Sequence, residues 1–235
     1  MNYQTQMKIK SLLNQPFITY GLMGITLFVF LGMELTGGSE NGQTLVNWGA
    51  MFRPYILLGH QYWRLFTPMF LHIGWMHLIL NMVTLYFVGP QIEAIYGHWR
   101  YLGLYLLSGI AGNVASFGIG NSILSAGAST SLFGLFGAFL ILGRHFRHNP
   151  AIMFMVRRYS MFVFINLFFN LFSSSVDIMG HVGGLIGGLL AANALAVPNR
   201  SKEISVHERI ISSLILIFLL VICVLLGFKK SGLPV

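Results

Sequence analysis

The stretch "DIMGHVGGLIGG", Asp177 to Gly188, opens an apolar run that continues to Ala196 and carries five glycines around one histidine. A glycine inside a helix costs about 0.8–1.0 kcal/mol relative to alanine, so this density implies a packing need for bare backbone. Gly184 and Gly188 have the GxxxG spacing that lets membrane helices approach closely. The run is therefore read as a transmembrane helix with one side stripped of side chains by Gly180, Gly183, Gly184, Gly187 and Gly188. On such a helix His181 can reach a group on the neighbour.

Composition sets the surroundings of that helix. The chain has 235 residues, 55% of them hydrophobic and 9% charged, with a mean hydropathy of +0.73, which is too little charge to coat a soluble globule. The fold class is an all-α polytopic membrane protein. Seven apolar segments are long enough to cross a hydrocarbon core of about 30 Å: Phe17 to Met33, His77 to Val88 extended at its N-terminal side by Thr67 to Met76, Tyr101 to Phe117, Ala128 to Leu142, Tyr159 to Phe172, Met179 to Ala196, and Ile210 to Phe228.

The net charge of +8 could suggest nucleic acid, but no basic run is interleaved with aromatics. It reads as topology instead. With a cytoplasmic N-terminus, Lys8, Lys10, Arg100, Arg144, Arg147, Arg157, Arg158, Arg200, Lys202 and Arg209 all fall in cytoplasmic connections, and only Arg53, Arg64, Lys229 and Lys230 fall outside. The expected location is the cell membrane, multi-pass. Lys229 and Lys230 oppose the trend and are read as snorkelling anchors. The first segment is longer than a signal-peptide core and lacks an A-x-A site, so it is expected to be retained. Cys223, the single cysteine, can make no intrachain disulfide and no zinc or redox site. No metal or cofactor is implied.

The expected layout is a short cytoplasmic segment 1–16, a core 17–197 and a C-terminal unit 198–235 holding a cytoplasmic loop and one more membrane helix. Within the core, loop 36–68 mixes Trp48, Tyr55, Tyr62 and Trp63 with Arg53 and Arg64, a combination that suits the bilayer interface. A second unusual connection, Phe117 to Thr130, is rich in glycine and contains Asn121. Such backbone is tolerated at membrane depth only where protein or a water-filled cavity satisfies it.

Polar side chains within apolar spans are costly and point to function. His77 and Asn81, four residues apart, lie on one helix face about 40° apart, and either bond a neighbouring helix or present two donors to one place. His72, five residues before His77, is read as a polar interface residue. The fourth segment is thinned by Gly127, Gly134 and Gly137, which makes it a candidate partner for the His181 helix. Its Ser129 and Ser131 are about 200° apart, so one alone can face His181. Ser129, nearer the positive end of the helix dipole, is selected, and Ser131 is read as a packing residue bonding back to its own helix. Asp177, one turn before His181, is read as a cap or loop contact.

Together, "YWRLFTPMFLH" (62–72), "FLHIGWMHLILNM" (70–82), "GAS" (127–129) followed by "LFG", and "GHVGGLIGG" (180–188) resemble the rhomboid intramembrane serine proteases, in order and spacing, from about Trp48 through Gly188. The resemblance implies a six-helix core, with the last segment an added seventh. It implies Ser129 as nucleophile, His181 as general base, and His77, Asn81 and the Ser129 backbone N–H as the oxyanion hole. Phe133 would pack on the base's ring, Gly127, Gly184, Gly188 and His72 would support the site, and Trp63 and Arg64 would match a structural loop pair. The residue after the nucleophile is usually glycine in that family and here is Thr130, whose branched side chain is expected to restrict the turn.

The partners implied are the bilayer and transmembrane protein substrates, cleaved near the outer leaflet; the oligomeric state is not implied. A noncatalytic rhomboid-like protein that binds membrane clients is the alternative. A transporter is disfavoured because the halves show no internal symmetry.

Overall fold

Within hydrocarbon every backbone N–H and C=O has to be paired within the protein, and the described part of each of the seven apolar segments accordingly carries a helix in the computed structural model, which describes residues 15–120, 124–170, 176–198 and 204–230. The long helices are α1 (Phe17–Leu35), α4 (Gly74–Tyr96), α5 (His98–Ile119), α6 (Ser129–His145), α7 (Pro150–Asn170), α8 (Ile178–Leu195) and α9 (Val206–Lys230). Five of them, α1, α4, α5, α8 and α9, are long and apolar enough to cross a membrane. Helix α6 has 17 residues, and α7 carries Arg157 and Arg158. Lys8, Lys10, Asn121, Phe172, Arg200 and Lys202 lie outside the described residues.

The small-residue pattern of α8 decides the packing, and it serves two faces rather than one. Gly184 and Gly188 turn to α6: a Cβ on Gly184 would stand 2.9 Å from the carbonyl carbon of Thr130, and one on Gly188 would stand 2.5 Å from that of Gly134. Gly183 turns to α5, where a Cβ would stand 3.0 Å from the Ala111 oxygen. Two glycine pairs offset by one position, about 100° on a helix, thus give α8 one bare stripe for each neighbour. Around this contact, Tyr101, Leu104, Tyr105, Leu135, Ala138 and Ala191 are fully buried. Outward-facing Phe28, Phe154, Phe164, Leu214 and Phe218 remain exposed, as the lipid face of a membrane bundle requires.

The connection between α1 and α4 is a folded unit. It contains α2 (Gly42–Trp48), α3 (Arg53–Leu57) and two three-ten turns, Tyr62–Leu65 and Thr67–Phe70. Asn41 caps α2 by accepting from the Gln43 N–H at 2.9 Å, and Gly49, at φ +101°, ends it in the left-handed conformation that lacks a Cβ penalty. Strand β1 (Met51–Phe52) pairs antiparallel with β2 (Leu124–Ser125), which ties this unit to the segment before α6. The expected N-terminal extension of the second span, Thr67 to Met76, is not one helix with it. Pro68 lies in the three-ten turn, and α4 begins at Gly74 with φ +74°.

Candidate active site

Helix α6 begins at Ser129, and α8 carries His181 in its first turn. The glycine contacts between the two helices bring these residues together. The Ser129 Oγ lies 2.8 Å from His181 Nε2. That is hydrogen-bond distance, with the hydroxyl as donor when the imidazole nitrogen carries no proton. The Phe133 ring, four residues on, stacks on the His181 ring with centroids 4.4 Å apart and planes at 19°.

The start of α6 is built to leave backbone donors available. Its cap residue, Ala128, offers no side-chain acceptor, and the first amides of a helix have no partner within it. The two amides just upstream are engaged. Gly127 N–H donates to the Pro68 carbonyl at 2.9 Å, and Ala128 N–H donates to His72 Nε2 at 3.3 Å. His72, fully buried, is therefore a support of the strand-to-helix turn.

His77 and Asn81 border the same place. The Ile73 N–H donates to His77 Nδ1 at 3.4 Å, which assigns the proton of a neutral ring to Nε2. Gly127, at φ +146°, leaves room for that edge: a Cβ there would stand 2.9 Å from His77 Nε2 and 3.4 Å from Ser129 Oγ. Asn81 is buried, and its Nδ2 has no hydrogen-bond partner among the described residues, a donor kept without an acceptor.

The neighbours of Ser129 separate cleanly. Ser131 is fully buried, and its hydroxyl does not bond back to its helix as the sequence suggested. It donates to the Met69 sulfur at 3.9 Å and faces Gly109 of α5. Thr130 lies in the first turn of α6 and is buried. Its side chain fills the space left by Gly112, where a Cβ would stand 2.6 Å from the Thr130 Cβ.

Asp177 caps α8, accepting from the Gly180 N–H at 3.0 Å, and also accepts from the Ser116 hydroxyl of α5. Sequence reading missed Ser116, Pro68 and Gly112; each acts through a contact between segments far apart in the chain, which no local pattern displays.

Trp63 and Arg64 lie in the α1–α4 connection. The buried Arg64 donates from Nη1 to the carbonyls of Val46 (2.7 Å) and Ala50 (3.0 Å) and from Nε to Gln61 Oε1 (2.7 Å). Its guanidinium lies 4.6 Å from the Trp63 ring centre and 5.1 Å from that of Tyr55. Burial pulls its pKa below the ordinary arginine value, and Tyr55 offsets part of that. No group of metal-ligating side chains occurs among the described residues.

Ser129 and His181 thus lie within hydrogen-bond distance in a glycine-packed membrane bundle. The Rhomboid domain family matches residues 59–198, and the chain belongs to the rhomboid family. It is 39% identical to rhomboid protease GluP of Bacillus subtilis over 93% of this chain and 41% of GluP. It is 34% identical to B. subtilis YdcA over 77% of this chain and 86% of YdcA, and 34% identical to rhomboid-like protease 3 of Toxoplasma gondii over 61% of this chain and 55% of that protein. The chain thus spans less than half the length of GluP.

Proposed function

We propose that this protein is an intramembrane serine endopeptidase that cleaves transmembrane segments of other membrane proteins near the outer leaflet. The observation that carries the reading is the 2.8 Å contact between Ser129 Oγ and His181 Nε2 at an uncapped helix start. A serine hydroxyl is a weak nucleophile until a base takes its proton. His181 Nε2 accepts that proton as Oγ attacks the scissile carbonyl, then returns it to the leaving amine. Water hydrolyses the acyl-enzyme with His181 again as base.

The tetrahedral oxygen is met by the Ser129 N–H, the His77 Nε2–H and the Asn81 Nδ2–H, with the positive end of the α6 dipole behind them. General-base assistance is typically worth about 10²–10⁴ in rate, and one oxyanion donor about 10²–10³. Phe133 holds the imidazole plane. Asp177, occupied with the α8 cap and Ser116, serves the helix, so the pair acts as a dyad.

The substrate arrives laterally past α7, whose Met161, Phe162, Phe164 and Ile165 are exposed, and the N-terminus is cytoplasmic. The noncatalytic alternative has no use for a serine and a base held at bonding distance. Cleavage of a quenched fluorescent transmembrane substrate by the purified protein tests the reading: no cleavage by the folded wild type would refute it, and activity in Ser129→Ala would refute Ser129 as the nucleophile.

A further inference from the structure

The last turn of the seventh long helix, α9, is tied to the C-terminal end of α5. The Lys230 ammonium donates to the Gly120 carbonyl at 2.9 Å. Arg53 of α3 donates to the same carbonyl at 2.9 Å and to that of Ser116 at 3.2 Å. Two cations from two separate elements thus meet the negative end of α5, at the Gly120 carbonyl just past the helix and at the Ser116 carbonyl, which also accepts from the Gly120 N–H at 3.0 Å. The apolar side of the junction is equally close. The Phe228 ring lies 5.8 Å from that of Phe117 and 6.2 Å from that of Tyr62, and Gly227 makes room for Phe117, which a Cβ would approach to 2.8 Å at Cζ.

The clamped turn of α5 is also the turn that holds Asp177. Ser116 gives its carbonyl to Arg53 and its hydroxyl to Asp177. Asp177 in turn holds the Gly180 N–H through its side chain and the His181 N–H, at 3.1 Å, through its backbone oxygen. The charge of Asp177 also opposes the cost of burying Arg53.

Building on the proposed protease activity, we propose that α9 is a positioning element: Lys230 and Arg53 fix the last turn of α5, and Ser116 passes that constraint through Asp177 to the turn carrying His181. None of these four residues touches the substrate or the reacting atoms. They act by holding the imidazole on the Ser129 hydroxyl, so their loss lowers kcat and leaves KM nearly unchanged.

The test compares Lys230→Met, Lys230→Arg, Ser116→Ala and the double variant Lys230→Met with Ser116→Ala, in the full chain, on a quenched transmembrane substrate. Coupling through a packed network predicts kcat lower by about 3- to 10-fold in Lys230→Met with KM within about twofold, and recovery in Lys230→Arg. The double variant should lose no more than the worse single one, as members of one chain of contacts do. Hydrogen exchange at the amides of Gly180 to Val182 should speed up in Lys230→Met, a readout independent of activity. Wild-type kcat and exchange in Lys230→Met, or strictly multiplicative losses in the double variant, would overturn the positioning role. No cleavage by folded wild type would instead overturn the protease reading, cleavage surviving Ser129→Ala would overturn Ser129 as its nucleophile, and in either case the exchange result would still decide the clamp. If Lys230→Met does not fold, Arg53→Lys and Ser116→Ala pose the same kcat and exchange questions from the other end.

Discussion

The rings of Phe133 and His181 stack face to face across the α6–α8 contact, 4.4 Å apart and 19° from parallel. Phe133 sits one turn after Ser129 on the same helix, so a single element sets both the hydroxyl and the plate against which the imidazole lies. An aromatic pair of this kind is worth about 0.5–1.5 kcal/mol beyond area burial. Phe133→Ala should lower kcat by about 3- to 10-fold, and Phe133→Tyr should restore most of it. Steady-state rates on one substrate distinguish the two.

At the close contact of Gly188 with Gly134, a Cβ would have two opposing effects on stability. Alanine is a better helix former than glycine by about 0.8–1.0 kcal/mol, but a Cβ at Gly188 would stand 2.5 Å from the Gly134 carbonyl carbon. Backbone cannot move aside as a side-chain tip can, and overpacking costs about 1–3 kcal/mol. The clash therefore wins, and Gly188→Ala should melt several degrees below wild type in detergent. At Gly21, where a Cβ meets nothing within 4 Å, the alanine substitution should leave the midpoint unchanged or raised.

Arg64 tests the α1–α4 connection. Its planar group makes three bonds in fixed directions, to Val46, Ala50 and Gln61, while lying over Trp63 and Tyr55. A lysine ammonium cannot reproduce that fork. Arg64→Lys should cost about 1.5–3 kcal/mol, the range for hydrogen bonds to a charged group, seen as a lower thermal midpoint and faster proteolysis of residues 42–65.

The division between what the sequence disclosed and what it did not follows from the range of the interactions. Helical periodicity is local, so the separation of Ser129 from Ser131 and the pairing of Ser129 with the His181 helix were readable from face arguments and glycine spacing. So was the stacking partner, through the resemblance. The two stripes of α8 were merged into one, because GxxxG spacing tells how many close approaches a face allows and not how many neighbours surround it. Where the Thr130 side chain packs was hidden because the space it fills is left by Gly112, on another helix. Lys230 was read as a lipid anchor because its acceptor, the Gly120 carbonyl, is 110 positions away in the chain. The Met51–Ser125 pairing was hidden for the same reason.

The central claim is that Ser129, and not its neighbour two residues on, is the nucleophile activated by His181. The most direct measurement is the cleavage rate of a quenched transmembrane substrate by wild type, Ser129→Ala, His181→Ala and Ser131→Ala side by side. Rates should fall to background in Ser129→Ala and His181→Ala, and folded Ser131→Ala should retain cleavage, because the Ser131 hydroxyl faces Met69 and Gly109. Cleavage persisting in Ser129→Ala, or lost in a Ser131→Ala protein that melts like wild type, would contradict the claim.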